Sequence, residues 1–309
     1  MSLTSLLRET DVRERFNAEF EKPRLELKDP IIATPTDPSR AHAALIGTAF
    51  DYVLRLHVSI INDADVWARL WTAEIAVDRL ADHIAARVTV FPPGSNQSHR
   101  GVISKAQRII REAKREYDRC HEKQQVSEAM FRHALLLAQL EQFYRGGMLS
   151  ASFGKVSDAG ATDLKNLLAV AQRSPHRFRA SRVCVLNPDF REASYLVGGA
   201  DADLLIDDTL VEIKTIRELK FTAETFRQLV GYFLLYKIGR GITVGPRPKP
   251  EIRSLGVYFS RHGVFRSFPV DSVIDMAQLP SFLRWFKQRA RNGSPPMGIA
   301  TVDGVTFEY

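Results

Sequence analysis

Gly198-Gly199-Ala200-Asp201-Ala202-Asp203-Leu204-Leu205-Ile206-Asp207-Asp208-Thr209-Leu210-Val211-Glu212-Ile213-Lys214-Thr215 carries two apolar runs around an Asp-Asp pair. The pattern predicts a β-hairpin with Asp207-Asp208 as its two-residue turn. That register pairs Ile206 with Thr209, Leu205 with Leu210 and Leu204 with Val211. It sets Asp203 opposite Glu212, and Asp201 opposite Lys214 one step further on. Side chains alternate along a strand, so Asp201, Asp203, Glu212 and Lys214 are expected on one face. Ala202, Leu204, Val211 and Ile213 are expected on the other, apolar face. Directly opposed residues sit about 5 Å apart at Cβ, so two carboxylates there repel unless a cation lies between them. A divalent metal taking hard oxygen ligands from both strands removes that repulsion. The competing reading is a solvated hairpin edge, where acids and a lysine are ordinary.

Further along, Thr222 is a good N-cap for a helix over residues 223–238. Gln228 and Tyr232 are four residues apart there and so share one helix face. The acid at Asp203, then Glu212-Ile213-Lys214 as E-x-K, then Gln228-Leu229-Val230-Gly231-Tyr232 as Q-x-x-x-Y occur in one order. This set resembles the PD-(D/E)XK nuclease superfamily and its RecB-like branch, over residues 178–290. The resemblance implies an α/β (α+β) fold, with a mixed central sheet flanked by helices in a restriction-endonuclease-like core. It implies Mg²⁺ (or Mn²⁺) on Asp203 and Glu212, with Asp201 as a further ligand or outer acid. Lys214 would orient or deprotonate a water, or stabilise developing negative charge, and Gln228 and Tyr232 would support the site or touch the DNA backbone. RecB-like relatives often use an acid from the helix before the core. Glu141 is the candidate here, and an exposed helix residue is the alternative.

The implied activity is metal-dependent hydrolysis of DNA, double- or single-stranded. The alternatives are a catalytically silent nuclease fold that only binds nucleic acid or partners, and a ribonuclease sharing the chemistry. The intact acid–acid–lysine set argues against silence. No G-x-x-x-x-G-K-[ST] occurs, so a helicase or ATPase working with this protein would be a separate chain. A homodimer is compatible with the reading. Eight histidines are scattered without H-E-x-x-H spacing, which disfavours zinc hydrolysis. Gly239-Arg240-Gly241 follows a helix rather than opening one, so it is not a dinucleotide loop.

At 309 residues, 45% hydrophobic and 26% charged, the chain has the composition of an ordered globular protein. Its net charge is +7, of which +2 falls in residues 1–175 and +5 in the rest. That excess suits a polyanionic partner. Two cysteines, Cys120 and Cys184, exclude a four-cysteine iron–sulfur site within the chain and suit a reducing compartment. The first residues lack an adequate signal-peptide h-region, and no apolar run is expected to approach the roughly 20 residues of a membrane span. A cytoplasmic protein with no membrane partner is therefore expected.

Two domains are expected: a helical N-terminal domain over 1–176 and the nuclease core over 177–309. Helices are predicted over 1–22, 39–61 (Ser39 as N-cap), 64–87 with Trp67, Leu70 and Trp71, 104–119, 127–144 closed by Gly146-Gly147, and 163–173. Pro23, Pro30, Pro35 and Pro38 break structure between the first two, and residues 92–96 form a loop. The 104–119 helix is read as a solvated face of ion pairs rather than a DNA-contacting one. From Phe178 the pattern turns to strands: 182–186, 194–197, the central hairpin, and a second hairpin over 255–268 around His262-Gly263. A basic Gly/Pro loop over 239–250 and a last helix over 281–289 complete the expectation.

Overall fold

The computed structural model describes residues 2–62, 65–68, 71–95, 100–243, 250–293, 299–302 and 305–308. The chain opens with α1 (Leu3–Leu6) and α2 (Thr10–Glu19), then a long loop and α3 (Arg40–Ile61). Strand β1 (Asp65–Ala68) precedes α4 (Thr72–Ala85), α5 (Val102–Glu122), α6 (Glu128–Gly146) and α7 (Asp158–Gln172). The second half runs β2 (Val183–Leu186), α8 (Glu192–Tyr195), β3 (Leu204–Ile206), β4 (Thr209–Lys214), α9 (Ala223–Ile238), β5 (Ser254–Phe259), β6 (Val264–Pro269), α10 (Leu279–Gly293), and a small hairpin of β7 (Ile299–Val302) and β8 (Val305–Glu308). Caps explain several boundaries. The side chains of Ser39, Ser127, Ser157 and Thr222 each accept a hydrogen bond from a first-turn amide, and Gly147 ends α6 at φ 73°.

β1 to β6 form one mixed sheet in sequence order. β1–β2 and β4–β5 are parallel and the remaining neighbours antiparallel, with α9 carrying the β4–β5 crossover. The predicted central hairpin has its predicted register: Leu204 with Val211, Leu205 with Leu210, Ile206 with Thr209. Both faces of the sheet are covered, in contrast to the one-sided burial expected. Leu204, Val211 and Ile213 join α3–α7 in one hydrophobic cluster, while Leu205 and Leu210 join α9, α10, α1 and α2 in another. These clusters do not follow a division at residue 176. α1 and α2 pack with the C-terminal helices, and Leu3 and Leu7 lie against Gly231 of α9.

Several elements differ from expectation for identifiable reasons. The helix expected over 64–87 starts only at Thr72, after β1, because residues 65–68 pair in parallel with Val183–Leu186. Glu74 accepts the Trp71 amide at 3.0 Å and marks the later start; Leu70 lies outside the described residues. The strand expected at 194–197 is instead α8 and its exit. Ser194 Oγ accepts from the Phe190 amide and donates to the Ala200 carbonyl, satisfying locally what a sheet ladder would have used. The first helix is split in two, α7 starts five residues earlier than 163, and β7–β8 was not anticipated. The solvated-helix reading of α5 holds for its outer face only, since Ala106, Ile109, Ile110 and Ala113 are buried. Most of the basic loop, residues 244–249, is outside the described residues, as is Asn96 of the 92–96 loop. α3 has the length and mean hydropathy of a membrane span, but much of it is buried against the other helices.

One buried ion pair ties the halves together. Arg261, in the β5–β6 turn, donates Nη1 to Asp163 Oδ1 (2.8 Å) and Nη2 to Oδ2 (2.9 Å) of α7. Both side chains are fully enclosed. Arg261 also donates to the Ala33 carbonyl, and its own carbonyl accepts the Ile32 and Ala33 amides. Truncating one partner strands the other charge in the interior. Asp163→Ala is expected to lower unfolding free energy by about 3–5 kcal/mol in denaturant melts; a loss below about 1 kcal/mol would show that the pair does not hold the halves together.

Candidate active site at the end of the central hairpin

The ladder of β3 and β4 ends at Leu204–Val211, and the next pair, Asp203 and Glu212, is joined differently. Asp203 turns its carboxylate along β4 and accepts the Ile213 amide at 2.6 Å. Its backbone carbonyl accepts from Asn187. Asp203 therefore lies beside Glu212, as expected, held there by a charge-assisted bond. Asp201 does not continue the hairpin opposite Lys214. It makes an antiparallel bridge with Asp189 instead, because Gly198 and Gly199 (φ 67° and 103°) bend the chain away. Ala202 accordingly packs with Leu205 and Leu210, not with Leu204 and Val211.

Lys214 Nζ donates to Glu212 Oε1 (2.7 Å) and to Gln228 Oε1 (3.0 Å), and Gln228 Nε2 donates to the Tyr232 hydroxyl (2.7 Å). The E-x-K and Q-x-x-x-Y residues thus form one continuous chain from β4 to α9. Phe190 stacks on the Tyr232 ring at 5.5 Å and closes its far side.

The helical half adds residues that the sequence reading did not single out. Gly47 of α3 stands close to Thr215: a Cβ there would be 4.0 Å from the Thr215 Cβ. One turn further along α3, Asp51 feels the charges of Glu212 and Glu141. Glu141 is buried rather than exposed; it accepts from the Tyr52 hydroxyl at 2.9 Å and pairs with Arg145. Asp51 was invisible because it sits in an otherwise apolar helical stretch with no motif around it. Its spacing of four from Arg55 was the one available signal.

The electrostatics are those of a crowded, largely acidic cluster. Asp51, Glu141, Asp201, Asp203 and Glu212 stand with Arg55, Arg145 and Lys214, five carboxylates to three cations. Enclosure pushes Asp51 up to about 7, Arg55 offsetting part of this and Glu141 and Glu212 adding to it. Enclosure, with the adjacent Glu212 and Asp51, raises Asp203 well above the carboxylate range, although the Ile213 amide favours its charge. Burial disfavours the Lys214 charge, but Glu212, Asp203 and Asp51 outweigh it and hold the ammonium above the ordinary lysine value.

The donor set fits a hard divalent cation. Glu212 Oε2 is buried and has no hydrogen-bond partner, an oxygen of the kind a metal would use. Among the described residues no three His, Cys, Asp or Glu side chains already stand in metal-holding geometry. Asp203 Oδ2 is turned to the Ile213 amide and Glu212 Oε1 to Lys214. No protein-family model, curated protein or solved structure matches this chain.

The turn that sets this register is itself fastened. Asp207 takes φ 54° while Asp208 does not adopt a positive φ, so the turn is not the type I′ form that Asn-Gly favours. The Asp207 carboxylate accepts the amides of Ser181, Arg182 and Val183 at the start of β2. Partial burial opposes its charge, but these bonds prevail and depress its pKa. For an acid depressed on folding, the stabilisation is complete above the unfolded value near ~4 and disappears as pH falls through the folded one. Asp207→Asn is therefore expected to be less stable than wild type at pH 7, with the difference shrinking below pH ~4. Denaturant melts of both proteins across pH would check this; a gap independent of pH would mean the carboxylate charge contributes nothing.

Proposed function

We propose that this protein is a metal-dependent DNA nuclease of the PD-(D/E)XK type, with Asp203, Glu212 and Lys214 as its reactive set. The observation that carries the reading is the side-by-side placement of Asp203 and Glu212, with Lys214 tied through Gln228 to Tyr232. Asp203 and Glu212 would hold the Mg²⁺ or Mn²⁺, and Asp51 from α3 is better placed than Glu141 to help, since Glu141 is committed to Tyr52 and Arg145. Such an ion supplies a water of lowered pKa and positive charge against a phosphate oxygen.

The chain's own groups divide the remaining work. Lys214 would stabilise negative charge on the phosphate or orient the attacking water. Gln228 fixes the Lys214 ammonium, and Tyr232, kept protonated mainly by burial and by the nearby carboxylates, fixes Gln228. Asp201 lies near enough to perturb Tyr232 and Arg145, as an outer acid would.

Purified protein with Mg²⁺ or Mn²⁺ is expected to cut DNA supplied as linear, circular or single-stranded molecules. Asp203→Asn and Glu212→Gln should reduce cleavage to background, and Lys214→Met should lower kcat by about 10²–10³-fold while binding persists. Gln228→Ala should show a smaller loss in kcat, because it acts through Lys214. Cleavage of RNA alone would reassign the substrate, and DNA binding without cleavage in any metal would make the fold a silent one. Near wild-type cutting by Glu212→Gln would reject the site.

A further inference from the structure

We propose that Arg55 grips a phosphate of the DNA strand beside the bond being cut, so that the helical half contributes directly to substrate binding. This rests on the nuclease reading above. Three cations stand among the acids, and two are already committed. Arg145 gives Nε and Nη2 to Glu141, and Lys214 gives its ammonium to Glu212 and Gln228.

Arg55 is different. Its Nε donates to the Asp51 carbonyl at 3.0 Å, and its guanidinium carbon lies 5.1 Å from the centroid of the Tyr52 ring. Those contacts set the plane of the fork. Among the described residues its two terminal nitrogens have no hydrogen-bond partner and no carboxylate closes an ion pair with it. Asp51, Glu141 and Asp203 are near enough to favour its charge without taking its donors. An oriented, half-buried guanidinium with two idle donors matches the paired oxygens of a phosphate.

The surroundings also select the kind of phosphate. A phosphodiester carries a single charge and is anchored elsewhere along its strand, so it meets less repulsion from the surrounding acids than a free dianion would. Asp203 feels both Arg55 and Lys214, so a strand entering the site meets one cation from the helical half and one from the sheet.

The test uses the full-length protein with Ca²⁺ replacing Mg²⁺ and a set of oligonucleotides, each carrying one neutral methylphosphonate linkage. Affinity is read by fluorescence anisotropy at several salt concentrations. For wild type, one linkage next to the cleaved bond is expected to weaken binding about 10- to 100-fold. In Arg55→Gln the same linkage should cost less than about 3-fold, and the slope of log K against log salt should fall by about 0.7–0.9, one phosphate contact. Arg55→Lys keeps the charge without the fork and should bind about 10-fold more weakly than wild type.

A wild-type scan with no sensitive linkage beside the cut, or identical linkage profiles for wild type and Arg55→Gln, would overturn the proposal while leaving the nuclease reading intact. Inorganic phosphate that competes with wild type but not with Arg55→Gln, alongside a flat linkage profile, would assign the fork to a free anion and also overturn it. A wild-type protein that neither binds nor cuts DNA would remove both readings.

Discussion

Two carboxylates, Asp203 and Glu212, are forced side by side where the β3–β4 ladder ends, and the organisation of this protein follows from that crowding. Asp203 is bound to the backbone of the neighbouring strand, so it cannot swing clear without losing a charge-assisted hydrogen bond. Glu212 is buried, with one oxygen on Lys214 and the other idle. Such a pair stores repulsion that only protons, cationic side chains or a metal can relieve. The chain supplies part of the relief through Lys214, Arg55 and Arg145.

Crowding of this kind needs a rigid frame. The sheet is covered on both faces, so the strands cannot splay to separate the acids. The Arg261–Asp163 pair fastens the β5–β6 turn to α7 with both charges buried, an arrangement that tolerates little displacement because either charge alone would be stranded. Asp207 does the equivalent at the other end of the hairpin, collecting three amides of the 181–183 segment and holding the turn against β2. Helix α3 packs in the hydrophobic cluster on one face of this frame and brings Asp51 and Arg55 to the acids.

The site is therefore a joint product of the two halves. The hairpin segment and α9 supply Asp203, Glu212, Lys214, Gln228 and Tyr232, while α3 and α6 supply Asp51, Arg55, Glu141 and Arg145. The helical half changes the ionisation of the hairpin acids and presents an open guanidinium beside them, a role that a passive lid or a tethering module would not have.

The local pattern determined the central hairpin, its register and the Gln228–Tyr232 face, because each is governed by short-range rules: alternation along a strand, a two-residue turn, and a spacing of four on a helix with a Thr222 cap. The grouping of Asp203, Glu212 and Lys214 was legible for the same reason. Local side-chain bonding and glycine conformation decided part of the rest, and tertiary structure alone decided the remainder. Residues 65–68 became a strand because β2 offered them a partner, and Ser194 turned a strand-like stretch into a helix by bonding locally. Asp201 left the hairpin at two glycines whose positive φ no alternation pattern encodes. Asp51 and Arg55 reached the site through the packing of α3 in the cluster that also holds Leu204, Val211 and Ile213, residues about 150 positions further along the chain. Sequence periodicity reports which face of an element is buried; it carries no information about which distant element covers that face, and so none about which distant charges share a site.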